Sequence, residues 1–591
     1  MTQRDPGSST VRFATKAVAT LPRPARAVFW LCTIVFLASS FGLLGQIGDR
    51  YLVEVPEHGG AISEGVIGWP RYINPILARF DADRDMTALI YSGLMKPLPS
   101  GELVPDLAES YTISPDGLVY TIALRPELTW HDGEPITSAD IAFTIEKARD
   151  PGLAVKSLRR ASFDDVGIET PDERTIVFTL KKPFPRFLEN LTMGILPKHV
   201  WQHVGNDQFD LSYLNLEPIG SGPYMIADLV EDKETRLPTS YELRAFPRYA
   251  LGEPYITNLT IRLYGNNKDL LAAFEKGEID QMSAVDPVHA ETYRTHNVPI
   301  VLGKLPRVYA VFFNQTERPI FADASVREAL ELAVDRERIV RDVFRGYATP
   351  VAGPLPFGAT NDPSALAHAT ATVPDLERAR AVLEDGGWKF DEAGQVWTKT
   401  DKRKKTTEHL EFSLALLDGI PEFRQTAEIL KQNWEALGAK VTLKISEQTV
   451  FSTEVVAPRK YDAIFFGEIT GRNPDPFAYW HSSQRNAPGS NLALYANRSA
   501  DKLLEEARKT LDPREQQELL GKFEEEIATD RPAVFLYVPD FIYVVSPKQR
   551  KALEVGIVTT ESERFLSVHD WYVESERVWK FFSDRMERVA E

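Results

Sequence analysis

The chain has 591 residues, 43% of them apolar and 10% aromatic, the balance of a folded rather than a low-complexity protein. At about 100–200 residues per domain it has room for about three to five compact units. Its 68 Lys and Arg against 85 Asp and Glu leave a formal net charge of -17, which opposes attraction to nucleic acid, and its single cysteine excludes intrachain disulfides and every cysteine-rich zinc arrangement.

The first predicted element is an uncharged run at 27–47 (AVFWLCTIVFLASSFGLLGQI), about the length a helix needs to cross a bilayer. Arg12, Lys16, Arg23 and Arg26 precede it, so the positive-inside rule keeps 1–26 as a cytoplasmic tail and places the rest outside. The run continues through Leu43, Leu44 and Ile47, which favours retention as a signal-anchor. The alternative is a signal peptide cut after Ala38-Ser39-Ser40, releasing a secreted protein. Cys32 follows Phe29, Trp30 and Leu31 instead of the small residues that lipoprotein processing requires, and reads as a lipid-facing apolar side chain.

Residues 105–180 are strand-rich: Tyr120, Ile122 and Leu124 alternate, as do Ile176, Phe178 and Leu180, with turns at Pro115-Asp116-Gly117 and Pro171-Asp172. Thr137 and Asp140 form a capping box before a helix that carries Ile141, Ile145 and Ala148 on one face. Farther on, Ser325 and Glu328 predict a second capping box ahead of Val326, Ala329, Leu330 and Ala333, and Asp335 caps a helix ending near Gly346. Residues 353–374 and the charged stretch 398–407 read as surface loops. Phe412, Leu414 and Leu416 alternate before a helix with Phe423, Ala427, Leu430, Trp434 and Leu437; it stops at Gly438 and hands over to Val441, Leu443 and Ile445, a βαβ unit. The pattern predicts two unlike lobes, the later one α/β, with ligand loops at the carboxyl ends of strands and in the cleft between lobes.

Catalytic arrangements are missing: there is no GxSxG elbow, HExxH helix, Walker A loop or GxGxxG after a strand, and Gly220-Ser221-Gly222 lacks elbow spacing. No catalytic residue and no cofactor is assigned. His199 and His203 stand four apart, as a metal pair on a helix face would, but no third ligand is evident and ordinary surface or helix-end contacts are the plainer reading, so no metal site is assigned. Abundant carboxylates in an acidic chain read as solvated faces. Trp69, Trp130, Trp388 and Trp480 are candidates to stack on a ligand, whereas Trp434, at helical spacing, is core.

LVPDLAESY at 103–111, SPDGLVYTIALRPELTW at 114–130 and HDGEPITSADIAFTIEKA at 131–148 resemble the family 5 bacterial extracellular solute-binding proteins, the oligopeptide, dipeptide and nickel binders of ABC importers. PIGSGPY at 218–224, the stretch 313–346, Asp385-Gly386-Gly387-Trp388 and 461–480 follow in the family's order, so the resemblance runs nearly end to end. It implies an α/β periplasmic-binding-protein type II fold, two lobes with an additional subdomain, preceded by the transmembrane helix at 27–47. By this analogy the first lobe is discontinuous at 52–95, 215–305 and 530–591, the inserted subdomain is 96–214, and the second lobe is 306–529. The implied partners are a peptide or similar small solute, ABC permease subunits, and the membrane through the N-terminal helix, for a monomer on the periplasmic or extracellular face. A membrane-anchored sensor or chaperone that binds peptides without transport, or a peptidase of unfamiliar type, is the rival reading.

In the peptide binders of this family, an acidic residue in a pattern resembling GWxxDYxxP pairs with the peptide α-amino group. Here the loop from Gly467 reads Glu468-Ile469-Thr470-Gly471-Arg472-Asn473-Pro474-Asp475-Pro476: Glu468 stands in the Trp place, Gly471 in the Asp place, and the loop is one residue longer. Either Glu468 or Asp475 takes over the amine contact, or the ligand has no amine there and Arg472 suits an anionic group. The expected ligand-binding set is Asp83, Asn314, Glu468, Gly471, Arg472, Asp475 and Trp480.

Overall fold

A computed structural model describes residues 22–580 apart from 158, 284, 359–373, 402–405, 511, 551–552 and 554. The chain forms two units, Met1–His58 with Tyr572–Glu591, and Gly59–Trp571.

In the smaller unit the apolar run lies in the helix Arg23–Tyr51, which leads without a break into the strand Leu52–Glu57. That strand pairs antiparallel with Glu574–Trp579. The two ends of the chain expected in the first lobe, from 52 and up to 591, therefore group with each other, because they share one ladder of backbone hydrogen bonds.

The larger unit is organised by a 12-stranded sheet whose seam is the strand Ala533–Val544. The first part of the seam pairs with Arg307–Phe313, Val534 opposite Val311. Its second part pairs with Ile300–Lys304, Tyr543 opposite Val301. The strand that follows the expected boundary at 530 thus pairs with strands of both halves. On one side of the seam, Gln281–Met282, Ala61–Ile67 and Asn258–Tyr264 run parallel, followed by the antiparallel strands Pro238–Ala245 and Tyr224–Glu231. On the other side, Arg307–Phe313 is followed by Ala463–Ile469, then by the parallel strands Glu411–Leu417 and Lys440–Ser446. Besides the seam, the chain passes between the halves at Leu305-Pro306.

The second half is apolar on both faces of its sheet, as strands covered twice must be. Val308, Ala310 and Phe312 face one core cluster, while Val311 and Phe313 face the other. The helix Pro421–Leu437 buries Ala427, Leu430, Trp434 and Leu437 against the second of these. It ends at Gly438 with φ +107°, a left-handed cap that glycine adopts without strain. The predicted strand, helix and strand of 412–445 are all present, with the two strands parallel.

The segment between the first-half strands carries its own antiparallel sheet, in the order Ala108–Ile113, Val119–Leu124, Thr175–Thr179, Gly167–Asp172. Its helix Ser138–Arg149 has the Thr137 and Asp140 capping box expected from sequence. Two local readings are corrected. The cap of the helix Ala324–Leu332 is Asp323, whose carboxylate accepts from the Ser325 N–H, so Ser325 lies inside the helix and does not cap it. The stretch 398–407 contributes to strands, Val396–Asp401 paired with Thr406–His409, because its alternating threonines fit a pleated ladder despite the lysines between them. Of the other expected loop, 359–373 lies outside the described residues.

Candidate functional site

Parallel strands end together, and the loops that leave their carboxyl ends surround a hollow. Each half of the larger unit has one. In the first half, Ile67 and Tyr264 are paired last residues of parallel strands, and with Ser283 beyond Met282 they mark the strand ends. A hollow of about 1070 Å³ opens there, lined among others by Trp69, Arg71, Tyr72, Phe80, Tyr213 and Glu561. Trp69 is partly exposed and its indole N–H donates to the Pro238 carbonyl.

In the second half, Leu417 and Ile469 end their strands, and the helical turn after Ser446 supplies Gln448 and Phe451. Here the hollow is about 610 Å³. Tyr309, Phe423, Phe451 and Tyr479 give it aromatic walls, and Arg307 and Glu468 bring ionisable groups. Aromatic walls with a few placed polar groups are the usual make-up of a small-molecule pocket.

Glu468 is the unusual member. Its strand position opposite Val308 buries it to 1% exposure. Oε2 accepts a 3.0 Å hydrogen bond from the indole of Trp480, and Oε1 has no partner. Burial drives its carboxyl well above the ordinary carboxylate range, opposed only by that indole bond. Such a group is stable either as a neutral acid or beside a cation.

The other expected site residues have their hydrogen bonds occupied within the protein. Asp475 receives Arg508 through both carboxylate oxygens at 2.7–3.0 Å, with Arg186 at 3.7 Å. Arg472, 6% exposed, pairs with Glu563 at 2.6 Å and donates to the Leu98 carbonyl at 3.1 Å. Between them Asn473 donates to Glu189, which Arg186 also grips. The 470–476 loop is therefore a clasp from the second half onto the first half and the inserted sheet region. Gly471 supplies its sharp turn at φ +77°. Asp83 accepts the backbone N–H groups of Arg71, Tyr72, Arg79 and Phe80, the work of a helix start. Asn314 donates to the Arg459 carbonyl and accepts from Thr316 and Glu317, and Trp480 is core. Of the expected set, Glu468 alone lines either hollow. His199 bonds Asp132 at 2.9 Å, and no cluster of metal-ligand type occurs among the described residues.

Sequence reasoning missed Arg307, Tyr309, Phe451 and Tyr479, and took Phe423 for helix core. Their shared signal is place: each stands at a carboxyl strand end or in a segment packed beside one.

A family profile described as bacterial extracellular solute-binding proteins, family 5 Middle, matches residues 102–491. Among curated proteins, the oligopeptide-binding protein AppA of Bacillus subtilis is 28% identical over 499 residues, which is 82% of this chain and 87% of that protein. Among solved structures, the ABC transporter substrate-binding protein CtaP of Listeria monocytogenes is 26% identical with a TM-score of 0.72, covering 88% of this chain and 100% of that one. NikZ of Campylobacter jejuni, solved in complex with Ni(L-His), is 25% identical with a TM-score of 0.64, covering 87% and 99%.

Proposed function

Because this chain belongs to the family 5 bacterial extracellular solute-binding proteins, we propose that it is the extracytoplasmic substrate-binding component of an ABC importer and that it takes a solute with a free amino group, a peptide first among them. The observation that carries this reading is the buried, unpartnered oxygen of Glu468, a residue that lines the aromatic hollow at the strand ends. An ammonium group there restores the carboxylate, satisfies Oε1 and removes the penalty of a buried acid without a counter-charge. Asp475 is held by two arginines, so Glu468 is the acid in this loop with an oxygen to offer.

Capture proceeds by closure of the two halves over the solute and needs no covalent step. The seam strand and Leu305-Pro306 are the segments proposed to bend, since among the described residues they join the halves at the centre of the sheet. The helix Arg23–Tyr51 presents Trp30, Phe36 and Phe41 outward, and its window Pro24–Leu43 buries nothing against protein. An apolar helix of this length, exposed all round, is suited to lipid, and on that ground the chain is read as membrane-anchored beside the importer's permease subunits.

Native mass spectrometry of freshly purified full-length protein tests the reading first: an intact co-purified peptide or amine supports it, and chemical turnover of an added peptide mixture sinks it. A calorimetric titration then compares a retained peptide with its N-acetylated form. Acetylation is expected to weaken binding by about 10- to 150-fold, and equal affinity of the two forms eliminates Glu468 as the amine contact.

A further inference from the structure

Where the chain leaves its apolar helix it enters a paired strand directly. Leu52–Glu57 follows Arg23–Tyr51 and is paired along its full length, from Leu52 opposite Trp579 to Glu57 opposite Glu574. The C-terminal strand is thereby carried to the root of the helix. The ribbon is graded along its length. Leu52, Val53, Val578 and Trp579 stand at the helix end, Glu54 opposite Arg577 follows in the third pair, and Val55, Pro56 and Glu57 lie beyond it opposite Glu576, Ser575 and Glu574. Trp579 is 51% exposed and Val53 38%.

A two-stranded ribbon is marginal in water without a further surface to pack on. The helix identifies that surface. At a rise of 1.5 Å per residue, Leu52 stands about 8 Å beyond Ile47, the end of the apolar run, which is headgroup depth, where Trp is enriched. The acidic end lies about 17 Å farther along at strand spacing, in water. A self-association face has no reason to follow this gradient, whereas a membrane surface imposes it.

Resting on the reading of the helix as a membrane anchor, we propose that the ribbon root, Trp579 with Leu52, Val53 and Val578, inserts into the headgroup layer of the bilayer that the helix spans. The binding unit Gly59–Trp571 is then attached to the membrane through both of its chain ends. Two attachments restrict the rotation that a single tether leaves free and raise the share of encounters in which the unit meets the permease correctly.

The test uses the full chain with Cys32→Ser, reconstituted in phosphatidylcholine vesicles and labelled with an environment-sensitive fluorophore at Trp579→Cys, at Val53→Cys, or at the control Ser575→Cys. Lipid brominated high on its acyl chains should remove about half or more of the emission at 579 and 53, and little at 575, as interfacial depth requires. Two root positions keep the test decisive if loss of Trp579 loosens the ribbon. Equal quenching at all three sites overturns the proposal. So does an unquenched root that forms concentration-dependent 579–579 crosslinks, which identifies a second copy as the cover. Vesicle flotation separates the two readings: protein that fails to float refutes the anchor, while protein that floats with an unquenched root refutes the ribbon insertion alone.

Discussion

Glu64 in the first half and Glu468 in the second are both fully buried carboxyls, yet one is saturated with partners and the other is not. Glu64 accepts 2.9 Å from Arg564 Nε and 2.7 Å from the Tyr543 hydroxyl, and the same guanidinium holds Asp85 by two bonds of 2.7–2.8 Å. Burial still lifts the carboxyls of Glu64 and Asp85, while the two acids keep Arg564 firmly charged. Glu468, which lines a hollow, has one indole N–H on one oxygen and no partner on the other, which is buried. A buried acid that the fold itself satisfies reports on architecture; one that the fold leaves half-satisfied reports on something from outside.

The sharpest way to break this contrast is to remove the architectural cation. Arg564→Met strands two buried acids, and loss of one partner of a buried ion pair costs about 3–5 kcal/mol. Denaturant unfolding should show that loss, together with a deficit that widens as pH rises and the stranded acids lose their protons. A variant as stable as the parent removes the distinction between the two sites. Glu468→Gln should do the reverse. The folded state keeps a proton on Glu468 that the unfolded chain releases above its ordinary value of 4.5, so the parent's stability declines as pH climbs past that point. Glutamine keeps an acceptor for Trp480 without the titration, and its unfolding free energy should exceed the parent's by a margin that grows with pH.

Binding moves the opposite way. A hydrogen bond to a charged group is worth about 1.5–3 kcal/mol, so Glu468→Gln should weaken a free-amine ligand by about 10- to 150-fold. It should leave an N-acetylated ligand unaffected. Because the amine needs the carboxylate form, affinity should fall as pH is lowered, by up to about tenfold per unit, and binding should release a proton. Calorimetry in buffers of different ionisation enthalpy measures that release directly. No proton release at any pH between 5 and 8 would falsify the assignment of Glu468 as a neutral acid awaiting a cation.

How much of this was legible without coordinates depends on how local the signal is. The strand, helix and strand of 411–446 announce themselves by alternation, 3.6-residue spacing and the glycine stop at Gly438. The pairing of Leu52–Glu57 with Glu574–Trp579 spans nearly the whole chain and leaves no local trace. At the site, the family pattern pointed to the loop from Gly467, whose Glu468 lines a hollow, but residue type gave no sign of which charged groups in it are already paired. Arg472 and Asp475 look like ligand contacts because they are charged, and their partners Glu563, Arg186 and Arg508 lie far away in sequence. Asp83 could have been read as a helix-start acid from its place three residues after Phe80.

That loop yields the smallest effect. Arg472 reaches from the second half to Glu563 and the Leu98 carbonyl, contacts that separate if the halves part. They stabilise the closed arrangement with or without a ligand, so they belong in the release rate more than in recognition. The pair is largely buried, with Arg472 at 6% and the Glu563 side chain at 18% exposure, but the cost of desolvating both groups offsets most of their attraction, so its removal should be worth about 0.5–1.5 kcal/mol. Arg472→Ala should therefore speed the dissociation of a fluorescent peptide by about 2- to 12-fold in stopped-flow displacement, with the preference for a free amine intact. If the release rate is unchanged while Glu468→Gln still weakens binding, the clasp is a fixed seam of the fold and closure pivots elsewhere. If Arg472→Ala instead erases the amine preference, recognition lies in the clasp, and the contrast between saturated and idle carboxyls loses its functional meaning.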